Sequence, residues 1–251
     1  MALRSKDKAD EFSALARKMF FSKESIAYFL DYASATQVNC IIDLIEYEQN
    51  VREKNKRARL FRRARFPQVK GFSDYDFSQV GFPEGYSEVD LMSLDYIEAA
   101  EDFVFFGQTG RGKTHLAIAI GVACVERGLS CRFFTSAELV VALLRAKDSH
   151  ALDAFMKDLA KCDLLILDEF GYVPIDIEGA RLLFQVISDC YERRSLIITT
   201  NIEFSKWGTI LGDDKMASAI IDRLVHHGRL VEFNGSSRRM DRALMLGKAE
   251  K

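Results

Sequence analysis

The 251 residues, 48% hydrophobic and 29% charged, suffice for one large domain or a core domain with an appendage, and they exclude a disordered or collagen-like chain. The five cysteines are scattered and never spaced C-x-x-C, which excludes a recognisable disulfide framework or zinc site and predicts buried free thiols. The start MALRSKDKADEF lacks a signal-peptide core, and no run approaches the ~20 apolar residues that span a bilayer. We therefore expect a cytoplasmic protein without membrane contact.

Residues 1–66 predict a small helical domain. Helical spacing indicates one helix around Phe12, Leu15, Met19 and Phe20, a short one after Ser22, and a long one from about Thr36. The long helix has an apolar stripe at i, i+3, i+4 and i+7, formed by Val38, Ile41, Ile42 and Ile45. Phe66-Pro67 is predicted to end it, because a residue before proline disfavours the helical conformation.

The second half of this long helix is strongly basic. Residues 51–65 contain eight Lys or Arg and one acid, a net charge of +7, although the whole chain has a net charge of −2. A solvated helix face is the plain alternative, but so much unpaired charge favours contact with DNA phosphates, with little sequence specificity. The candidate DNA-binding residues are Arg52, Lys54, Lys56, Arg57, Arg59, Arg62, Arg63 and Arg65.

Residues 67–101, rich in glycine and aromatic residues, are interpreted as a linker that packs on a core domain at 102–251. In this core, apolar runs alternate with helical stretches, which predicts an α/β fold with a largely parallel sheet and a ligand site at the carboxyl ends of its strands. The predicted strands are residues 103–106, 131–134, 164–168, 195–199 and 229–233. Two helices, 136–147 and 150–160, fit between the second and third strands.

The sequence GQTGRGKT at 107–114 satisfies G-x-x-x-x-G-K-[ST] between a predicted strand and a predicted helix at 115–126. Glycines let the backbone surround phosphates, the helix N-terminus and the lysine supply positive charge, and the final threonine can bind Mg²⁺. The motif therefore predicts an Mg²⁺–ATP site. Its candidate residues are Gly107, Gln108, Thr109, Gly110, Arg111, Gly112, Lys113 and Thr114.

Three further positions complete a predicted hydrolytic site. Asp168 and Glu169 end an apolar strand, so Asp168 is expected to bind Mg²⁺ and Glu169 to polarise the attacking water. Asn201 follows another apolar strand and is a candidate to hydrogen-bond the γ-phosphate or this water. Arg223, in a predicted helix, is the candidate arginine finger toward a neighbouring subunit. His226 and His227 have no metal-ligand companion at suitable spacing and are interpreted as structural.

With these motifs the chain resembles the IstB-type helper ATPases of insertion sequences, in the DnaC-like group of AAA+ proteins. The matching stretches are FRRARFP at 61–67, GQTGRGKTHLA at 107–117, LLILDEFGYVP at 164–174, LFQVISDCYERRS at 183–195, TTNIEFSKW at 199–207 and AIIDRLVHH at 219–227. The resemblance implies an ATP-dependent homo-oligomer that assembles on DNA and cooperates with a transposase. It also implies that Asn201 is the sensor-1 residue and Arg223 the arginine finger.

The chain departs from the family pattern in two places. Arg111 stands where a small or aliphatic residue is usual, and residues 235–239 read GSSRR in place of GESYR. Arg239 is the candidate nucleotide ligand of this segment, with Arg238 as the alternative. The residues that follow are too few for a full AAA+ lid, so we expect neighbouring subunits to assist closure. The extra helix in the core binds nucleic acid in the related group, which makes Arg145, Lys147, Lys157 and Lys161 secondary DNA candidates; a solvated face is equally compatible with each.

Two alternatives to a transposition helper remain open at this point. A loader of a replicative helicase would share the ATPase core and differ in the partner of its N-terminal domain. A small-molecule nucleotide kinase is disfavoured by Glu169 after Asp168, by Arg223 and by the lack of an evident acceptor lid.

Overall fold

The computed structural model describes residues 2–237 and Met240. Contacts divide the chain into two compact units, residues 1–58 and 59–251, so the boundary falls inside a helix and eight residues before the end of the domain that the sequence indicated. The difference has a packing reason: Leu60, Phe61 and Ala64, in the last turns of that helix, belong to the hydrophobic core of the second unit.

The first unit is helical. It contains α1 (Ala2–Lys18), α2 (Lys23–Tyr32) and the first part of α3 (Ala35–Ala64), as predicted. Its core consists of Phe12, Ala16, Ile26, Val38, Ile42 and Ile45, with Ile41 half-buried beside them. The prediction for Phe20 was wrong: this residue lies beyond α1 with φ 66° and is 91% exposed, because the helix has already ended.

The second unit is an α/β domain. Its strands are β1 (Val80–Gly81), β2 (Asp102–Gly107), β3 (Cys131–Thr135), β4 (Leu164–Phe170), β5 (Ser195–Thr200) and β6 (Gly228–Phe233). Its helices are α4 (Glu88–Ser93), α5 (Lys113–Glu126), α6 (Ser136–Asp148), α7 (Leu152–Leu159), α8 (Ile177–Cys190), α9 (Trp207–Leu211) and α10 (Asp214–His227). Short 3₁₀ helices cover Phe72–Asp74, Asp95–Ile97 and Phe204–Lys206.

The strands form one sheet in the order β1-β6-β2-β5-β4-β3. Every neighbouring pair is parallel except β1 with β6, so the predicted α/β fold with a largely parallel sheet is confirmed. The P-loop strand β2 lies between β5 and β6. Because the strands are parallel, the carboxyl ends of β2, β4 and β5 meet at one edge of the sheet, where the predicted nucleotide residues begin.

Helices pack on both faces of the sheet, and β4 shows how its sequence supports this. Leu165 and Leu167 enter the core formed with α6, α8 and α10, whereas Leu164 and Ile166 enter the core formed with α5 and the segment before β2. Alternate residues of a strand face opposite sides, so a continuous apolar run indicates a strand buried on both faces. Among the described helices, none combines the length and apolar character needed to cross a bilayer.

Four of the five cysteines are buried free thiols, as predicted, and the exception is the exposed Cys40. Burial in the apolar core raises the pKa of Cys124 and of Cys190 to about 12. These two thiols are therefore protonated at neutral pH and behave as small apolar side chains.

Candidate functional site

The P-loop links the end of β2 to the start of α5, and its glycines are required by its shape. Gly110 has φ +86° and Gly112 has φ +97°, a left-handed region that favours glycine. A Cβ at Gly107 would collide with the carbonyl oxygen of Phe233, since β6 runs directly beside this turn. The loop therefore follows a backbone course that favours glycine, directly before the N-terminus of α5, where phosphate binding is favourable.

Lys113, the first residue of α5, is 6% exposed. Its Nζ donates hydrogen bonds to the carbonyl oxygens of Gly107 at 2.5 Å and Gln108 at 2.9 Å. The ammonium group therefore lies inside the loop rather than in solvent. A buried ammonium of this kind is costly unless its donors are satisfied, so the loop backbone and a charged ligand can both serve as acceptors.

Asp168, near the end of β4, is the centre of a hydroxyl network. Its Oδ1 accepts hydrogen bonds from Thr114 Oγ1 at 2.9 Å and from Thr199 Oγ1 at 2.5 Å, and the residue is only 3% exposed. The Thr199 hydroxyl also accepts a hydrogen bond from the amide of Glu169 at 3.1 Å. These hydrogen bonds thus connect the P-loop helix α5 with β4 and β5.

Glu169 differs from its neighbour in both backbone and exposure. Its φ of 57° lies in the left-handed region, and the pairing of β4 with β5 shifts register between Leu167 and Phe170. This bulge leaves Asp168 buried and Glu169 exposed at the strand end. Bulges and left-handed non-glycine residues are frequent where a side chain must be aimed at a functional site.

Asn201 and Arg223 occupy different surroundings. Asn201 follows β5, and its buried Oδ1 has no hydrogen-bond partner among the described residues. Arg223, on α10, donates from NH1 to the carbonyl of Ala219 at 2.7 Å and lies over the ring of Phe184 at 5.3 Å. Within the described chain, no hydrogen bond or ion pair joins Arg223 to the P-loop or to the two acids of β4, so the structure does not bring it to this site.

Two other segments touch the P-loop. From the segment before β2, the ring of Tyr75 lies against Gly112 and 5.2 Å from the ring of His115. After β6, the Ser237 side chain occupies the space into which a Cβ on Gly110 would project. The predicted ligand Arg239 and its neighbour Arg238 lie outside the described residues.

Side chains of the loop itself also bind protein partners. Arg111 donates to the carbonyl of Phe233 at 3.0 Å and to Gln108 Oε1 at 3.1 Å. The hydroxyl groups of Thr109 and Tyr172 are 3.0 Å apart. The unusual arginine therefore connects the loop to the end of β6.

The predicted DNA-binding residues fall into separate groups. Arg52 pairs with Glu48 at 2.7 Å in the first unit, where Lys54, Lys56 and Arg57 are exposed. In the second unit, Arg59, Arg62, Arg63 and Arg65 line one cavity together with Arg132 and Asp158. Of the secondary candidates, Lys147 pairs with Glu178, Arg145 lines a neighbouring cavity that Arg65 also borders, and Lys157 and Lys161 are exposed.

Thr199 was missed by sequence reasoning, although a signal exists: it is the first polar residue after the apolar run Leu196–Ile198, in the strand beside the Asp168 strand. Arg132 and Asp158 were missed as well, and no spacing connects them to α3.

The histidine pair was predicted to lack companions, but the fold supplies two. The Tyr191 hydroxyl is 2.8 Å from His226 Nδ1, and Glu192 Oε1 is 3.0 Å from His227 Nε2. Glu192, His226 and His227 could hold a metal ion by their mutual distances, a grouping invisible to spacing because Glu192 lies 34 residues earlier. The structural role of the two histidines stays a prediction.

Known sequences similar to this chain are named as ATP-binding proteins of insertion sequences. The profile of the family described as IstB-like ATP binding protein matches residues 24–245. A Bacillus thuringiensis subsp. berliner protein, named as an ATP-binding protein of insertion sequence IS232, is 40% identical over 203 residues, 81% of each chain. A Pseudomonas aeruginosa protein, named as an ATP-binding protein of insertion sequence IS21, is 36% identical over 197 residues, 78% of this chain and 74% of the relative.

Comparison with solved structures identifies the fold. The crystal structure of the DnaC helicase loader matches 58% of this chain and 87% of its own, with a TM-score of 0.51 and 22% identity. AMPPCP-bound DnaA from Aquifex aeolicus matches 70% of this chain and 53% of its own, with a TM-score of 0.53 and 18% identity. The predicted AAA+ P-loop fold is thus confirmed.

Proposed function

We propose, from the premise that this chain belongs to the family of IstB-like ATP binding proteins, that it is an ATP-dependent DNA-binding helper of transposition. It self-assembles on target DNA in the ATP state and cooperates with a transposase, and hydrolysis of ATP to ADP and phosphate resets the assembly. Its domains are the helical residues 1–66 with the basic DNA-binding segment, the linker 67–101 and the ATPase domain 102–251.

ATP binds at residues 107–114, with Lys113 donating to the β- and γ-phosphates and the loop amides surrounding them. The fit of Mg²⁺ is supported by two oxygen atoms, Thr114 Oγ1 and Asp168 Oδ1, which lie 2.9 Å apart, because this ion prefers oxygen ligands. When bound, Mg²⁺ neutralises charge on the phosphates. The partnerless Oδ1 of Asn201 supports a polar role for this residue beside the γ-phosphate or the attacking water.

Hydrolysis needs a base and a charge to stabilise the transition state. Glu169 accepts the proton of the attacking water, and its exposure at the bulge of β4 supports this role, since a base must reach its water. Arg223 acts on the nucleotide of a neighbouring subunit. Its support is indirect: in its own chain this guanidinium contacts α10 and Phe184 rather than the described nucleotide residues.

The observation that carries the proposal is the Thr114–Asp168–Thr199 network, because it joins the P-loop helix to the acids of β4 in one buried arrangement. The direct test is sedimentation of the protein with duplex DNA in the presence of ATP, ADP or no nucleotide. We expect large DNA-bound assemblies with ATP and their loss with ADP. Monomeric protein under all three conditions would reject assembly on DNA.

The partner is tested by capture on immobilised transposase and, in parallel, on immobilised replicative helicase. Retention by the transposase in the ATP state is expected. Retention by the helicase alone would establish the helicase-loader alternative instead.

A further inference from the structure

A cavity of about 380 Å³ lies in the second unit, and its walls are unusually rich in arginine. The lining residues are Arg59, Arg62, Arg63, Arg65, Arg132 and Asp158. They come from three elements: the end of α3 with the residue that follows it, strand β3, and helix α7. The cavity therefore lies within the second unit, here called the ATPase unit. Its residues are brought together by tertiary structure, unlike a charged stripe on one helix.

Charge in this cavity is poorly balanced. Asp158 forms ion pairs with Arg63 and with Arg132, the latter at 2.7 Å. In the part of the chain that the structure describes, no other carboxylate forms an ion pair with any of the five arginines. Although partial burial raises the pKa of Asp158, the hydrogen bond from Arg132 and the charges of Arg63 and Arg132 lower it overall. The one ionised carboxylate of the cavity thus pairs with two of its five arginines.

Arg132 is the residue that distinguishes this cavity from a solvated basic face. It is 6% exposed, its guanidinium lies 5.2 Å from the centre of the Phe134 ring, and one of its terminal nitrogens binds Asp158. Its buried Nε has no hydrogen-bond partner within the described residues. A buried donor without an acceptor is destabilising, and the planar guanidinium fork matches the oxygens of a phosphate.

We propose that this cavity binds a backbone phosphate of DNA, that Arg132 is a direct ligand of this phosphate, and that Asp158 is a resident carboxylate with which the phosphate competes. The proposal rests on the DNA binding proposed above and adds residues of the ATPase unit to it. Arg59, Arg62 and Arg65 supply further positive charge at the rim. A carboxylate and a phosphate oxygen are alternative acceptors for the same guanidinium groups.

Competition of this kind makes a prediction opposite in sign to that of a purely structural ion pair. Asp158→Asn keeps an acceptor oxygen of the same shape but removes the competing charge. The variant should bind duplex DNA about five-fold more tightly at low salt. This factor corresponds to about 1 kcal/mol of binding free energy, the upper range for one partly exposed ion pair. A structural ion pair would instead lower both stability and DNA affinity when it is broken.

The experiment measures binding of a fluorescent duplex over a range of salt concentrations in the ATP state. The matched control is Asp153→Asn, which makes the same charge change at an exposed position of α7 outside the cavity. Arg132→Gln should weaken binding about ten-fold and make the salt slope shallower by about 0.9, the value for one lost phosphate contact. Its control is Arg181→Gln, at an exposed position of α8.

The outcomes are distinguishable. No DNA binding by the wild-type protein would reject the proposed function itself. Wild-type binding with Asp158→Asn no tighter than Asp153→Asn would overturn the cavity proposal alone. This comparison decides even if Arg132→Gln fails to fold. A titration with inorganic phosphate forms the remaining arm: if Asp158→Asn gains affinity for free phosphate and none for DNA, the cavity is a free-anion site and the proposal is wrong.

Discussion

Two regions differ in how their charged side chains are partnered. One is the nucleotide edge, the predicted nucleotide site at the carboxyl ends of β2, β4 and β5, and the other is the arginine cavity, lined by Arg59, Arg62, Arg63, Arg65, Arg132 and Asp158. At the nucleotide edge, Asp168 is buried and accepts from two hydroxyls, and the buried ammonium of Lys113 donates to two carbonyls. In the cavity, the single carboxylate of Asp158 pairs with two of the five lining arginines, and the buried Nε of Arg132 has no hydrogen-bond partner among the described residues. The fold thus supplies hydrogen-bond partners for Asp168 and Lys113, whereas the cavity has more positive than negative charge.

This difference indicates two modes of ligand binding. A satisfied network fixes the geometry of its groups before the ligand arrives, which favours chemistry that depends on orientation. A cavity with excess charge gains stability from any anion of suitable shape and is sensitive to salt. Mutations of Glu169 and Arg223 should therefore change the rate of hydrolysis without changing the salt dependence of DNA binding, and mutations in the cavity should do the reverse.

The largest effect is expected from Arg223→Ala, because among the described residues no arginine forms a hydrogen bond or ion pair with Asp168 or Glu169. ATP binding should be retained, and hydrolysis should fall by about 10³- to 10⁵-fold, the range for an arginine finger. Steady-state ATPase assays with DNA measure this, with the exposed Arg181→Ala as control.

Mixing subunits tests whether this arginine acts across an interface. Lys113→Ala subunits retain Arg223, and Arg223→Ala subunits retain the P-loop, so co-assembly should restore part of the activity. Confirmed co-assembly without recovered hydrolysis would show that Arg223 does not act in trans.

Glu169→Gln addresses the one exposed acid of the nucleotide edge. An amide keeps the shape but cannot accept the proton of water, so hydrolysis should fall by about 10²- to 10⁴-fold while ATP binding persists. ATP-bound assemblies on DNA should consequently be longer lived. Glu203→Gln, exposed after β5, is the control. Turnover equal to wild type would remove Glu169 as the base.

Lys113→Ala removes the buried cation of the P-loop. The loss of two charge-assisted hydrogen bonds to phosphate, each about 1.5 to 3 kcal/mol, should reduce ATP affinity by about 100-fold or more. Direct titration with a fluorescent ATP analogue measures it, beside the exposed Lys215→Ala. Assembly on DNA should be lost with it, and unchanged affinity would contradict the site assignment.

Sequence sufficed wherever a pattern is local. The P-loop was predicted because its spacing lies between a strand and a helix, and β4 was predicted because an apolar run ends in two acids. The core strands followed from apolar runs with polar ends. The short strand β1 and helix α4 were not predicted, since neither has enough residues to show a period.

Contacts between distant residues could not be predicted in this way. The hydroxyl of Thr199 approaches Asp168 only because β4 and β5 are neighbours in the sheet. Arg63, Asp158 and Arg132 converge because the last turns of α3 are part of the second unit and of its hydrophobic core. The sequence shows that the second half of α3 is basic, but it does not show which residues of β3 and α7 contact its arginines.

The smallest effect separates the cavity arginine of the basic segment that pairs with Asp158 from two that do not. If about four of the eight basic residues of 51–65 meet phosphates, the logarithm of DNA affinity should fall with the logarithm of salt at a slope near −3.6. Arg62→Ala/Arg63→Ala should flatten this slope by less than the value of about 1.8 for two lost contacts, because Arg63 already shares Asp158. Arg59→Ala/Arg62→Ala removes two arginines that have no ion pair among the described residues and should approach the full value.

Both losses should be similar for unrelated sequences, because phosphates carry no base identity, and ATP affinity should not change. Equal slopes for the two double variants would show that Asp158 does not compete for Arg63, and an unchanged wild-type slope in both would make the end of α3 a solvated face.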